Sequence, residues 1–163
     1  MYATELNVEA ELRAAAAEIV PLLVQNRTRI DVAVRPGLTL RANRSALREI
    51  LHAVLRRALQ DAATEQLLLT AAPEPGRVRI AITDDAQATA TAARQAALRD
   101  AAALLAIQGG SMHIDVRPGQ GTIVALYWPA PLSPVASRES RSNARDTPEQ
   151  PALRPEPIQI GDF

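Results

Sequence analysis

Between residues 44 and 62, apolar side chains recur without a gap. Leu47, Ile50, Leu51, Val54, Leu55, Ala58, Leu59 and Ala62 follow the i, i+3, i+4, i+7 spacing of a single helix face. A helix of that length with one continuous apolar face is not stable alone in water, so the chain must supply a second apolar layer to cover it. Asn43 stands just before the run, where its side-chain oxygen can accept from first-turn amides as an N-cap.

Strands supply that second layer. "RIDVAVRP" alternates and reads as a strand, and "TLRA" is a short strand leading into the helix. "EQLLLTAAPEPGRVRIAITD" reads as two strands joined by a Pro/Gly turn at 73–76, and "SMHIDV" and "TIVALYW" as a closing hairpin around "RPGQG". Two further helices are expected. "NVEAELRAAAAEIVPLLVQN" has Asn7 as N-cap and acids in its first turn, with Pro21 as a kink or stop. An alanine-rich helix runs from about Thr91 to Gln108, capped by Gly109. This order predicts an α/β fold: a two-layer sandwich whose mixed, mostly antiparallel sheet is covered on one face by helices. Hydrophobic residues make up 47% of the chain but aromatics only 2%, so Leu, Val, Ile and Ala must build the core.

Composition removes several function classes. The formal net charge of +0 gives no electrostatic case for nucleic acid or an anionic membrane as partner. All basic side chains are Arg, so lysine Schiff-base chemistry is excluded, and with no Cys there are no disulfides, thiolate metal sites or cysteine nucleophiles. The acidic N-terminus lacks a signal pattern and the longest small-apolar run, at 101–107, is too short to span a bilayer, so a cytoplasmic protein is expected. His52 and His113 have no second His at i+3 or i+4, and no metal site is expected. Residues 1–129 read as the folded domain. Residues 130–163 read as a disordered tail rich in Pro, Ser and mixed charge, whose composition cannot offset the entropy of ordering.

Three stretches, in this order, resemble the ATP-binding domain of sensor histidine kinases, the GHKL or HATPase fold. "ANRSALREILHAVLRRAL" is similar to the helix carrying that family's N box. "VRIAITDDAQA" is similar to the strand and loop of its first glycine box, D-x-G-x-G. "LLAIQGGSMHIDVRPGQGTIVALYWP" is similar to its closing helix–GG–strand–GxGT–strand–Pro segment. The resemblance covers residues 5–129 and implies an ATP- and Mg²⁺-binding site. Carried over by position, that site is depleted. The metal-binding Asn of the N box falls on Arg57, a fixed cation with no carbonyl oxygen to offer Mg²⁺. Asp84 matches the adenine-binding Asp and Thr122 the Thr that helps to hold adenine, but the two glycines of the first box fall on Ala86 and Ala88. Gln95 and Ala97 replace the glycines of the second box, leaving only Leu98 of that motif, and the lid between the boxes is reduced to a few residues.

The resemblance therefore implies a pseudokinase: a degenerate domain, without catalytic residues, that has lost ATP and Mg²⁺ and acts through protein–protein interaction in bacterial two-component signalling. A kinase helical hairpin or a response regulator is the partner it implies, and the family's phosphoacceptor hairpin is expected to be absent from the chain itself. The alternatives are a divergent ATP-binding subunit that phosphorylates a His supplied in trans, and a degenerate histidine phosphotransferase. On the residues alone, Asp84 and Asp85 read as a solvated turn after a strand, and Arg56 and Arg57 as the wet edge of a helix.

The tail ends in "IQIGDF", where Ile158 and Ile160 alternate and Phe163 is the only Phe of the chain. Such a pair suits strand addition to a sheet edge, so residues 157–163 are a candidate docking peptide. Deleting 157–163 is expected to leave the thermal melting temperature nearly unchanged while weakening capture of a partner by the immobilised protein. Equal capture by truncated and full-length chains would dismiss the peptide.

Overall fold

The alternation that marks the strands becomes, in the folded chain, a five-stranded sheet with one apolar and one mixed face. A computed structural model describes residues 2–60, 64–86 and 91–131. Ala62 and Ala88, and the terminal Ile158, Ile160 and Phe163, lie outside the described residues. In chain order the elements are β1 (Thr4–Asn7), α1 (Val8–Glu18), α2 (Val20–Asn26), β2 (Arg29–Val34), β3 (Thr39–Ala42) and α3 (Arg44–Gln60). They continue with β4 (Gln66–Glu74), β5 (Arg77–Asp84), α4 (Thr91–Ala97), α5 (Arg99–Ile107), β6 (Ser111–Arg117) and β7 (Gly121–Pro129).

The main sheet has the order β2-β4-β5-β7-β6, and only the β2–β4 pair is parallel. Register places the apolar members of each strand in rows across it. One row is Val32, Leu69, Ile82, Val124 and Ile114; the next is Val34, Ala71, Ile80, Leu126 and Met112. Helix α3 belongs to the same core, with eight buried side chains: Ala46, Leu47, Ile50, Leu51, Val54, Leu55, Ala58 and Leu59. This is the two-layer α/β architecture expected from the sequence. On the other face, the Arg77 guanidinium lies 4.0 Å over the Tyr127 ring in exposed surroundings.

The structure corrects the element boundaries at three places. The first helical stretch is two helices, broken at Ile19, because Pro21 cannot donate a backbone bond and its ring would strike the carbonyl of Ala17. Pro21 instead sits in the first turn of α2, where no such bond is needed. The alanine-rich stretch is likewise two helices, with the break at Leu98, whose side chain is 2% exposed. Strand β1 has no strand pattern in the sequence; it exists because β3 is there to pair with it, setting Leu6 opposite Leu40 in the core.

Caps close the helices as their residues dictate. The Asn7 side chain accepts from Ala10 N at 2.9 Å, and Asn43 Oδ1 accepts from Ala46 N at 3.0 Å. At the end of α5, Gly109 N donates to Ala106 O and Gly110 N to Leu105 O, each at 3.0 Å, the paired bonds of a Schellman turn. Asn43 N also donates to Gln108 Oε1 at 3.1 Å, tying the start of α3 to the end of α5. Between α1 and α3, buried Glu11 accepts from Arg44 Nε at 2.9 Å, and Glu18 lies against His52 Nε2.

Trp128 is the single Trp and is fully buried, so its fluorescence reports global unfolding. In urea titrations followed at Trp128, Leu55→Ala is expected to cost about 2–5 kcal/mol, because it leaves a cavity between helix and sheet. Asn7→Ala, which removes one cap at the surface, is expected to cost only about 1 kcal/mol.

Candidate functional site

Strand pairing brings Asp84 and Thr122 together. Asp84 ends β5 and is the register partner of Thr122 in β7, in the row Ile30, Leu67, Asp84, Thr122 and Val116. Because side chains alternate along a strand, both point to the helix-covered face that carries Ile82 and Val124. Each is shielded from water: Asp84 is 2% exposed and Thr122 0%. The solvated turn expected at Asp84 is therefore wrong. The strand runs one residue further into the core than the charge suggests.

A carboxylate buried in this way must be paired or it costs several kcal/mol. The partner is Arg94, from α4. Its Nη1 donates to Asp84 Oδ2 at 2.6 Å, and the two side chains are 3% and 1% exposed. The other carboxylate oxygen, Oδ1, accepts from Ala86 N at 3.2 Å, which turns the chain back as β5 ends. The Thr122 hydroxyl beside this pair has no hydrogen-bond partner among the described residues. Arg94 thus takes up one oxygen of the Asp84 carboxylate inside the core.

The neighbouring positions hold this arrangement in place. Ala86 is 1% exposed and lacks the positive φ that would require glycine; among described non-glycine residues only Arg27 has one. Gly121 does require glycine: its φ is +106°, and a Cβ there would come within 1.8 Å of the Asp84 carbonyl oxygen. That close approach sets the height of Thr122 relative to Asp84. Asp85 is exposed but not idle, since its Oδ1 accepts from Glu65 N at 2.9 Å and Gln66 N at 3.0 Å and so clamps the start of β4. The solvated-turn expectation thus holds for Asp85, with the addition that its carboxylate anchors β4.

Arg57 and Arg56, four turns along α3, differ from each other. Arg56 is exposed, whereas Arg57 is half-buried and engaged in an interaction, so the wet-edge expectation holds only for Arg56. A cavity of roughly 530 Å³ lies elsewhere, between Glu18, Pro21 and Leu22 on one side and Arg56, Leu59 and Gln60 on the other. A second, of roughly 240 Å³, lies between Leu98, Arg99 and Ala102 and the strand residues Met112 and Ile114. Neither is lined by Asp84 or Thr122. The described residues contain no group of three His, Asp or Glu side chains able to hold a metal ion, and no helix among them is long and apolar enough to cross a membrane.

Sequence reasoning missed Arg94. A signal existed: it is the only charged residue between Ala86 and Leu98, and a lone charge in an alanine-rich helix needs a partner. What could not be read was that α4 points it at Asp84.

No protein-family model matches the sequence, and no curated protein matches it. Solved structures match its fold. The catalytic domain of histidine kinase ThkA superposes with a TM-score of 0.70 at 13% identity, covering 79% of this chain and 97% of its own. The histidine kinase AdeS of Acinetobacter baumannii gives a TM-score of 0.71 at 12% identity, covering 81% of this chain and 69% of AdeS. ShkA, solved full-length in complex with AMPPNP, gives 0.69 at 26% identity, with 81% of this chain covered and 32% of ShkA. The chain has the fold of the histidine-kinase ATP-binding domain.

Removing either half of the buried pair takes a 2.6 Å charge-assisted bond from the other. Arg94→Ala and Asp84→Ala are each expected to cost about 3–5 kcal/mol in urea unfolding at Trp128. The joint change Arg94→Met with Asp84→Leu is expected to cost clearly less than either single variant, because no buried charge remains. Additive losses would mean that the two side chains are not a unit.

Proposed function

We propose that this chain is a non-catalytic relative of the histidine-kinase ATP-binding domain, a pseudo-ATPase module acting through protein–protein interaction in two-component signalling. The observation that carries this reading is the Asp84–Arg94 pair. An acceptor already bonded at 2.6 Å to an internal guanidinium, and shielded from water, is not offered to an incoming base. To bind there, a ligand has to displace Arg94 from the carboxylate and give up a buried, charge-assisted bond, which costs several kcal/mol before any contact is gained.

The surrounding positions support the same reading. Arg57 puts a cation where the resemblance places a magnesium-binding Asn, and a guanidinium supplies no oxygen ligand for a hard divalent ion. The buried methyl of Ala86 occupies a position where the resemblance expects bare backbone. With ATP and Mg²⁺ lost, what the fold retains is a rigid α/β scaffold with exposed surfaces, suited to a protein partner. A kinase helical hairpin or a response regulator is the partner proposed.

A second reading has one observation in its favour. ShkA, solved with AMPPNP, shares the fold at 26% identity, and Thr122 keeps an unpaired hydroxyl beside Asp84. On that reading the chain is an ATP-binding subunit that phosphorylates a His on another protein.

Calorimetric titration of the full-length protein with ATP and Mg²⁺ separates the two readings. No binding tighter than about 100 µM, or about −5.5 kcal/mol, is expected, and no phosphoryl transfer to an isolated hairpin. Magnesium-dependent binding in the low micromolar range would establish the second reading instead. Arg57→Asn combined with Ala86→Gly and Ala88→Gly is not expected to restore turnover, since Arg94 still occupies the carboxylate.

A further inference from the structure

Strand β6 ends the sheet. It pairs with β7 on one side, and on the other side no strand among the described residues pairs with it, which leaves that edge's backbone N–H and C=O groups outside the ladder. Its inward residues Met112, Ile114 and Val116 are only half-buried, and the roughly 240 Å³ cavity opens beside Met112 and Ile114. Its outward residues are His113, Asp115 and Arg117. The strand thus has an apolar side left incomplete and a charged side of mixed sign.

We infer that β6 pairs antiparallel with β6 of a second copy of this chain, across a two-fold axis through Ile114, joining two sheets edge to edge. An axis perpendicular to the sheet keeps each face on its own side, so residues placed opposite each other share a face. With the axis at Ile114 the whole strand overlaps its copy. Met112 then meets the partner's Val116, and Ile114 meets the partner's Ile114, which completes the burial of the inward row. On the outward face, His113 meets the partner's Asp115 and Ser111 meets the partner's Arg117. The Asp115 carboxylate has an oxygen to spare, because its own Arg117 Nε bonds only Oδ2, at 3.0 Å.

Charge selects this register over its neighbours. An axis through Asp115 sets that carboxylate against itself, and like charges directly opposite are destabilising. An axis through His113 sets imidazole against imidazole and leaves Asp115 facing Ser111. The opposite edge of the sheet does not offer the same match. In β2 an axis through Asp31 stacks Asp31 on its copy and one through Val32 sets Arg29 against the partner's Arg35, while axes through Ile30 or Ala33 pair oppositely charged residues but overlap only one half of the strand. The self-complementary edge is β6.

The test is sedimentation equilibrium of the full-length chain over concentrations up to about 500 µM, where a reversible monomer–dimer equilibrium is expected. His113→Asp places a carboxylate opposite the partner's Asp115 and is expected to weaken the dimer by about tenfold or more. Exchanging the two residues, His113→Asp with Asp115→His, restores the opposed pair and is expected to return the dissociation constant to within about threefold of the original. Both positions lie on the outward face, away from the core, and Trp128 fluorescence verifies that each variant is folded. A chain that stays monomeric throughout, a His113→Asp variant that dimerises like the original, or an exchanged variant as weak as the single one would each overturn the assignment.

Discussion

The eight buried side chains of α3, from Ala46 to Leu59, have to be matched by an apolar surface as long as the helix, and the inner rows of β4, β5 and β7 provide it. With aromatics at 2% of the chain, the fit is made by branched aliphatics and alanines, whose small volumes leave little tolerance for a shifted register. Other features of the domain follow from that fit. The α5 helix is tied to the start of α3 through Gln108 and Asn43, and α1 is tied to its outer side through Glu11 and Arg44. The β1–β3 pair brings Leu6 and Leu40 into the same core.

The same constraint makes Asp84 costly. The register that places Ile80 and Ile82 in the core also carries Asp84 onto the inner face one step further along β5. A carboxylate there needs a partner that moves with the fold. The Arg94 guanidinium provides it from α4, beside the Asp84–Thr122 pair of β5 and β7. The contact that neutralises the buried charge also takes up one oxygen of the carboxylate.

The domain also presents the two edges of its main sheet. Its sheet ends in strands whose edges are marked by charge, Arg29 and Asp31 on β2 and His113, Asp115 and Arg117 on β6. Charged edges usually discourage association. In the pairing inferred for β6, Asp115 faces the partner's His113, and the same polar residues that discourage other partners define the register.

The sequence by itself determined the elements whose signals are local. The apolar period of α3, the Pro/Gly turn between β4 and β5, and the Gly109 cap and hairpin of β6 and β7 each depend on residues a few positions apart, and all form. The turn expected at 73–76 tightens to Pro75 and Gly76, because Pro73 and Glu74 pair with Val78 and Arg77. The resemblance to a kinase ATP-binding domain rests on the same local stretches, and the fold bears it out. Tertiary structure alone decided the rest. Strand β1 forms only because β3, more than thirty residues away in the chain, offers it hydrogen bonds. Leu98 interrupts an otherwise helical stretch because its side chain is drawn into the core. Asp84 reads as a surface turn because aspartates after strands usually are; its burial depends on how far β5 pairs with β7, and its pairing with Arg94 on where α4 comes to rest. Local patterns specify which segments are helix or strand, but which charges meet inside is settled only when those segments pack.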